Sequence, residues 1–263
     1  MRVLFFGEPA TLAHVARPVV LAAGLRDMGL EVSLATGPDF RWIADRAGLP
    51  VHAIDCIGTQ RYLKAVDAGA VVFPFDVLDR YVRDDLRVME EVRPDVVVGD
   101  FRLSLAVSAR LASIPYCAVV NAYWSPDRPW RPEIPVHPST RLLGPTIAGT
   151  LFRPLAPLIL AHHAMPMHRL RKAYGMKSLG LDLRAVFSEG DVSVFPDIPE
   201  LVPVTSSGSP GRYQYIGPVV WSAPADLPRE LANRSERRPL VYLALGSSGN
   251  RGALALIIEA LQG

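Results

Sequence analysis

The chain has 263 residues, 49% of them hydrophobic by type and 21% charged, with 28 Lys and Arg against 26 Asp and Glu for a formal net charge of +2. That balance excludes an intrinsically disordered chain, suits one large or two moderate globular domains, and, spread along the sequence, provides no basic surface for nucleic acid. Cys56 and Cys117 lie far apart and read as buried free thiols in a reducing compartment, which excludes a disulfide framework.

The opening run RVLFF is too short for a secretory leader and passes directly into the turn residues Gly7, Glu8 and Pro9; it predicts the first strand of a cytoplasmic protein. The helical pattern AHVARPVVLAAGL that follows contains Pro18. Proline has no N–H, and its ring crowds the carbonyl four residues back, that of His14, so the helix is predicted to begin at or just after His14. An imidazole placed there meets unpaired backbone N–H groups and the positive end of the helix dipole, which disfavour its protonated form. EVSLAT, FRWIADRAGL and VHAID continue an alternation of short apolar runs and helical stretches, the signature of βαβ units and a parallel sheet. One long helical segment is predicted over 60–92. PDVVVGD, RLSLAVSARLASI and PYCAVVNAYW resume the beat, for a sheet of about five strands or more.

Residues 123–157 are rich in Pro and Trp and predict a long excursion from the sheet, the kind of segment that shapes binding sites. Within 142–166, LLGPTIAGTLFRPLAPLILAHHAMP is largely uncharged, but Pro145, Pro154, Pro157 and Arg153 argue against a continuous membrane span. Packing on the core or lining an apolar pocket is the expectation, and membrane contact is not expected. Pro166 is expected to kink the helix LILAHHAMPMHRLRKAYGM. His162, His163 and His168 lack the i, i+4 spacing of a helical metal site and read as helix-face residues; His52 and His137 have no argued role. DVSVFPD and YQYIGPVVW are the last strand candidates of a first domain over 1–220. A charged, proline-bearing linker follows over 221–239. The final stretch, 240–263, reads as strand, Gly-Ser turn and helix. One βα unit cannot bury its own apolar faces, so it is expected to open a second, truncated domain.

Asp100 ends the strand run VVVGD, and as a residue after a strand it also suits the N-cap of a helix starting near Leu103. His14 and Asp100 both fall at the C-terminal ends of predicted parallel strands, the edge where open α/β sheets build their sites. Gly246, Ser247 and Ser248 form a strand-to-helix turn whose N–H and hydroxyl groups can hold phosphate. GEPATLAH lacks the G-x-G-x-x-G spacing, which disfavours a nicotinamide or flavin enzyme. Phe75, Tyr123, Trp124 and Trp130 are candidates to line an apolar acceptor site, with ordinary loop packing as the competing reading.

The stretches AHVARPVVLAAGLRDMGLEVSLAT, RPDVVVGDF, VFPDIPEL, YQYIGPVVW and LVYLALGSSG, in this order and spacing, resemble the N-terminal part of the GT-B UDP-glycosyltransferase family, in its bacterial natural-product branch. The resemblance implies a Rossmann-like α/β fold, a parallel sheet with helices on both faces. It implies an acceptor-binding domain here and a nucleotide-sugar domain of which only the first unit is present. It also implies inverting transfer of a sugar from a nucleoside-diphosphate donor to a hydroxyl of a small, fairly apolar acceptor. His14 would be the general base and Asp100 its orienting acid, while Gly246, Ser247 and Ser248 would approach the donor diphosphate. No metal or cofactor is implied, only the nucleotide sugar as co-substrate. Many members have Gly before the histidine and Pro three residues after it; Ala13 and Arg17 hold those positions here, and Pro18 comes one later. The family's donor-binding turn is absent from this sequence, so the chain alone is expected to be a poor catalyst. The alternative class is a non-catalytic acceptor-binding or scaffold subunit that needs a separate donor-binding chain. A GT-B-like nucleotide-sugar epimerase would share the fold but not YQYIGPVVW. Nothing in the sequence specifies the sugar, the acceptor or the oligomeric state.

Overall fold

A computed structural model describes the chain except residues 130, 131, 133, 135–137, 206–210, 224, 227, 230–239, 247–250 and 263. The described residues divide into two compact units, Met1–Val219 and Val220–Gly263. The first unit runs β1 (Arg2–Gly7), α1 (Ala13–Asp27), β2 (Glu31–Thr36), α2 (Trp42–Arg46), β3 (Val51–Ala53), α3 (Thr59–Asp67) and α4 (Phe75–Val92). It continues with β4 (Val96–Asp100), α5 (Leu105–Leu111), β5 (Tyr116–Val119), a 3-10 turn (Ala122–Trp124), α6 (Pro138–Ala173), α7 (Leu183–Phe187), β6 (Val192–Phe195) and β7 (Tyr213–Tyr215).

Seven strands form one all-parallel sheet in the order β3-β2-β1-β4-β5-β6-β7. Parallel strands joined through helices are covered on both faces, which is why these runs are apolar without alternation. Leu4, Phe6 and Val97 pack with Val88 and Met89 of α4 and Leu105 and Ala109 of α5. Successive side chains alternate, so Val3 and Phe5 face the opposite side of the sheet. Helix α1 packs against β1, β2 and β4.

Several local expectations are corrected. The segment 60–92 is two helices rather than one: Gly69 takes a left-handed φ of 61° after α3, and Pro74, extended at ψ 163°, starts α4. Asp100 caps no helix, because α5 begins only at Leu105, with Ser104 before it. The long α6 does not break at Pro166; its non-helical residue is Gly144 at φ 75° and ψ 160°. The expectation that α6 packs on the core holds for one face only. Ala148, Ala156, Ala164, Met167 and Leu170 are buried, whereas Ile147, Leu151, Leu155 and Leu158 are exposed. Cys56 and Cys117 are free but only partly buried.

One close approach sets the start of α1. A Cβ on Gly7 would stand 2.8 Å from the carbonyl oxygen of His14. Pro18 leaves that carbonyl without its i+4 N–H partner, and only glycine at the end of β1 lets it sit this near.

In the second unit, α8 (Arg251–Gln262) forms as expected, but residues 240–246 take no strand. A strand is completed by a hydrogen-bonded neighbour, and LVYLAL pairs with none among the described residues.

Candidate functional site

The connections from β1 lead outward through β2 and β3, and those from β4 lead outward through β5, β6 and β7. The strand order therefore reverses between β1 and β4, and a crevice opens at their C-terminal ends. Gly7 and Asp100 are register partners at that edge, and the Glu8 N–H donates to the Asp100 carbonyl at 3.2 Å. Helix α1 starts at Ala13, so His14 sits in its first turn, directly over the crevice.

The imidazole and the carboxylate meet there. His14 Nδ1 lies 2.8 Å from Asp100 Oδ1; the aspartate side chain is 1% exposed and the histidine 18%. Arg17, one turn along α1, donates from Nε to Asp100 Oδ2 and from Nη2 to Oδ1, each at 2.8 Å, and from Nη1 to Asn121 Oδ1. The guanidinium thus engages both carboxylate oxygens in a bidentate pair. Two acceptor atoms 2.8 Å apart without a hydrogen between them would repel, so the proton belongs on Nδ1, and in the neutral ring Nε2 is then the nitrogen with the lone pair. Arg17 Nη2 stands farther from Nδ1, at 3.1 Å, and has Asp100 as its acceptor. Removing this guanidinium by Arg17→Met strips two charge-assisted bonds from a buried carboxylate. Urea unfolding should show a loss of about 2–3 kcal/mol.

The imidazole plane is held by Phe101, whose ring stacks on His14 with centroids 4.5 Å apart and planes 13° apart. Phe101 has φ 60°, a left-handed conformation for a bulky residue, at a cost of about 1–2 kcal/mol. Aromatic contacts offset it: Phe73 and Tyr62 meet the Phe101 ring edge-on, and Phe187 stacks on it at 5.5 Å. On the side away from His14 these rings open into an apolar cleft lined by Val72, Phe73, Phe101, His163, Met167 and Phe187. Burial, then the neighbouring His162, lowers the pKa of His163 and favours its neutral form.

Trp124 joins this group, edge-on to Phe187 with centroids 4.6 Å apart. Tyr123 is 38% exposed beneath the Arg128 guanidinium. Phe75 opens α4, is 38% exposed and is absent from the cleft lining. Gly246 lies in the second unit with φ 70°, while Trp130, Ser247 and Ser248 fall outside the described residues. Sequence reasoning missed Arg17 and Asn121 as partners, and Phe101 and Phe187 as walls. For Arg17 a signal existed: its i, i+3 spacing from His14 puts both on one helix face.

Beneath the site lies a second charged cluster that the sequence did not reveal. Arg102, Glu8 and Asp85 are each 0% exposed in their side chains, and Arg102 reaches both carboxylates at 2.9 Å. Arg102 Nη1 also donates to the Asp55 carbonyl at 2.7 Å, and its guanidinium lies 3.6 Å above the Tyr81 ring. The Tyr81 hydroxyl donates to Glu8 at 3.0 Å, and Ser104 and Ser108 donate to Asp85 at 2.6 and 3.0 Å. Burial raises the pKa of both carboxyls, and Arg102 opposes that rise. The cluster ties the loop after β1, the loop after β4 and α4 to one another, and so fixes the two segments that carry His14 and Asp100.

Burial also pushes the thiols up, Cys117 to about 11, so neither cysteine is a thiolate nucleophile at neutral pH. Among the described residues no group of His, Cys, Asp and Glu is arranged to hold a metal ion.

No protein-family profile matches the chain. It is 41% identical over 260 residues to the "Inactive PGL/p-HBAD biosynthesis glycosyltransferase" of Mycobacterium bovis, an alignment covering 99% of this chain and 70% of that protein. A "PGL/p-HBAD biosynthesis glycosyltransferase" of Mycobacterium tuberculosis is also 41% identical over 260 residues, covering 99% and 60%. A "PGL/p-HBAD biosynthesis rhamnosyltransferase" of the same species is 40% identical over 260 residues, covering 99% and 57%. The chain thus spans 57% to 70% of the length of these curated relatives. Among solved structures, spinosyn forosaminyltransferase superposes with a TM-score of 0.53 at 23% identity, over 90% of this chain and 55% of its own. The Streptomyces sp. SF2575 glycosyltransferase superposes with a TM-score of 0.55 at 16% identity, over 91% and 60%. At such identities the shared property is the fold.

Proposed function

This chain belongs to the bacterial GT-B glycosyltransferase family of its mycobacterial relatives, and we propose that within it the chain supplies the acceptor side of an inverting sugar transfer, with His14 as general base and Asp100 as the residue that orients it. The observation that carries this reading is the 2.8 Å contact of His14 Nδ1 with the buried Asp100 side chain at the strand-order reversal. Nε2, left with its lone pair, removes the proton of an acceptor hydroxyl. The oxygen attacks the anomeric carbon from the face opposite the nucleotide; the new C–O bond forms as the bond to the diphosphate breaks, and the nucleotide leaves with that electron pair. The configuration inverts, and the proton stays on an imidazolium that Asp100 stabilises through Nδ1–H.

The Phe101 ring stacked on His14 favours a small, fairly apolar acceptor bearing a hydroxyl, while the cleft behind that ring lies away from the imidazole. The donor is a nucleoside-diphosphate sugar acting as co-substrate, without a cofactor or metal, and the rhamnosyltransferase among the relatives favours a rhamnosyl-type donor. Donor binding would combine Gly246, Ser247 and Ser248 of this chain with length that the curated relatives have beyond their match to it.

The test joins this chain to the remaining length of the Mycobacterium tuberculosis rhamnosyltransferase and offers it nucleotide sugars and hydroxylated aglycones, with products read by mass. The joined protein should add one sugar to an aglycone, and His14→Ala should abolish the gain while donor binding persists. A second reading, a non-catalytic acceptor-binding or scaffold subunit, draws on the relative named inactive. Equal transfer with and without His14, or no transfer by either protein, would favour that reading.

A further inference from the structure

The outward face of α6 is an exposed apolar stripe. Leu142, Ile147, Leu151, Leu155 and Leu158 are 85%, 56%, 56%, 51% and 69% exposed. Positions 147, 151, 155 and 158 follow helical spacing, so these side chains form one continuous band. The opposite face carries Ala164, Met167 and Leu170, packed with Leu78 and Tyr81 of α4 in the core.

Charge along the segment that carries the stripe is of one sign. From Ile134 through Leu181 the sequence has no Asp or Glu, yet it holds six of the 28 Lys and Arg. The rest of the chain therefore carries an excess of acid. Arg141, Arg153, Arg169 and Lys172 are exposed on α6 itself. An exposed leucine band on a segment whose own charges are all basic offers apolar area to a lipid surface and electrostatic attraction to anionic lipid.

We propose that this face docks on an anionic bilayer surface, with α6 lying parallel to the membrane and its leucines at the headgroup boundary. The helix is long and apolar enough to cross a bilayer, but its inner face is anchored in the core of the domain, so it rests on the surface rather than spanning. Pairing of this face with a second copy would bring two cationic borders together, which disfavours self-association. The proposal stands apart from the catalytic reading of His14.

The test is cosedimentation of the 263-residue chain with vesicles of phosphatidylcholine, with and without phosphatidylglycerol. Binding should require the anionic lipid and weaken as salt rises. Leu151→Ser with Leu155→Ser, and separately Arg141→Gln with Arg153→Gln and Arg169→Gln, should each weaken it by about tenfold or more. Unchanged unfolding midpoints establish that these exposed substitutions leave the fold intact. No cosedimentation, equal binding to neutral vesicles, or binding that neither variant weakens would overturn the proposal. So would self-association that the leucine variant abolishes, which would make the stripe a contact between copies.

Discussion

Arg102→Met is expected to lower stability by about 3–5 kcal/mol at neutral pH in urea unfolding, the loss typical when one partner of a buried ion pair is removed. Arg102 lies between Glu8 and Asp85, with all three side chains at 0% exposure. Without the guanidinium two carboxyls remain where burial already raises their pKa, chiefly against the opposing pull of Arg102. Their folded-state values then rise further, while the unfolded chain still ionises near the ordinary 4.5 and 3.8. Between those values and the higher folded ones, the folded variant binds more protons than the unfolded one, so its stability falls as pH rises. The variant should therefore lie nearest wild type in acid and farthest from it near neutrality. Adding Glu8→Gln should flatten that dependence. A deficit of the same size at every pH would assign the loss to packing over the Tyr81 ring instead of to uncompensated charge.

Asp100→Asn should reduce kcat by about 10²–10⁴-fold in the joined protein, with little change in donor affinity. The amide has one acceptor and one donor end, and neither orientation reproduces the site. With its oxygen toward His14, its NH₂ faces Arg17 Nε, which already donates to the other carboxylate oxygen at 2.8 Å. With its NH₂ toward His14, Nδ1 becomes the acceptor, the proton moves to Nε2, and the ring can no longer take a proton from a hydroxyl. Arg17 loses its carboxylate in both cases, so unfolding should report a stability loss beside the catalytic one. Activity near wild type would show that the tautomer of His14 does not matter to the reaction.

Much of this architecture could be read in the chain because strands buried on both faces appear as apolar runs. VVVGD and EVSLAT needed no further information, and the strand-end positions of His14 and Asp100 followed from them. The register that pairs Gly7 with Asp100 then brings the two residues together. Arg102 was not legible as a partner, because an arginine is read by default as solvated and its carboxylates lie many residues away; for Arg17 the i, i+3 spacing placed it beside His14, but not its contact with Asp100, 83 positions away. The left-handed Phe101 is invisible to composition, since its ring contacts rather than its own preference hold that conformation. Helix α6 met the core expectation on one face only, because both of its faces are apolar. Periodicity cannot tell which side of Ala148 and Ile147 meets the sheet and which meets solvent. LVYLAL has every local mark of a strand, yet a strand also depends on a neighbour to pair with.

The central claim is that Asp100 holds the proton of His14 on Nδ1 and leaves Nε2 free. Long-range ¹H–¹⁵N spectra of the ¹⁵N-labelled chain test it most directly, with the His14 ring assigned by its absence in His14→Ala. The neutral ring should show an unprotonated Nε2 and a protonated Nδ1, and Asp100→Asn should shift that population. A neutral His14 with its proton on Nε2 in the wild-type chain would contradict the account.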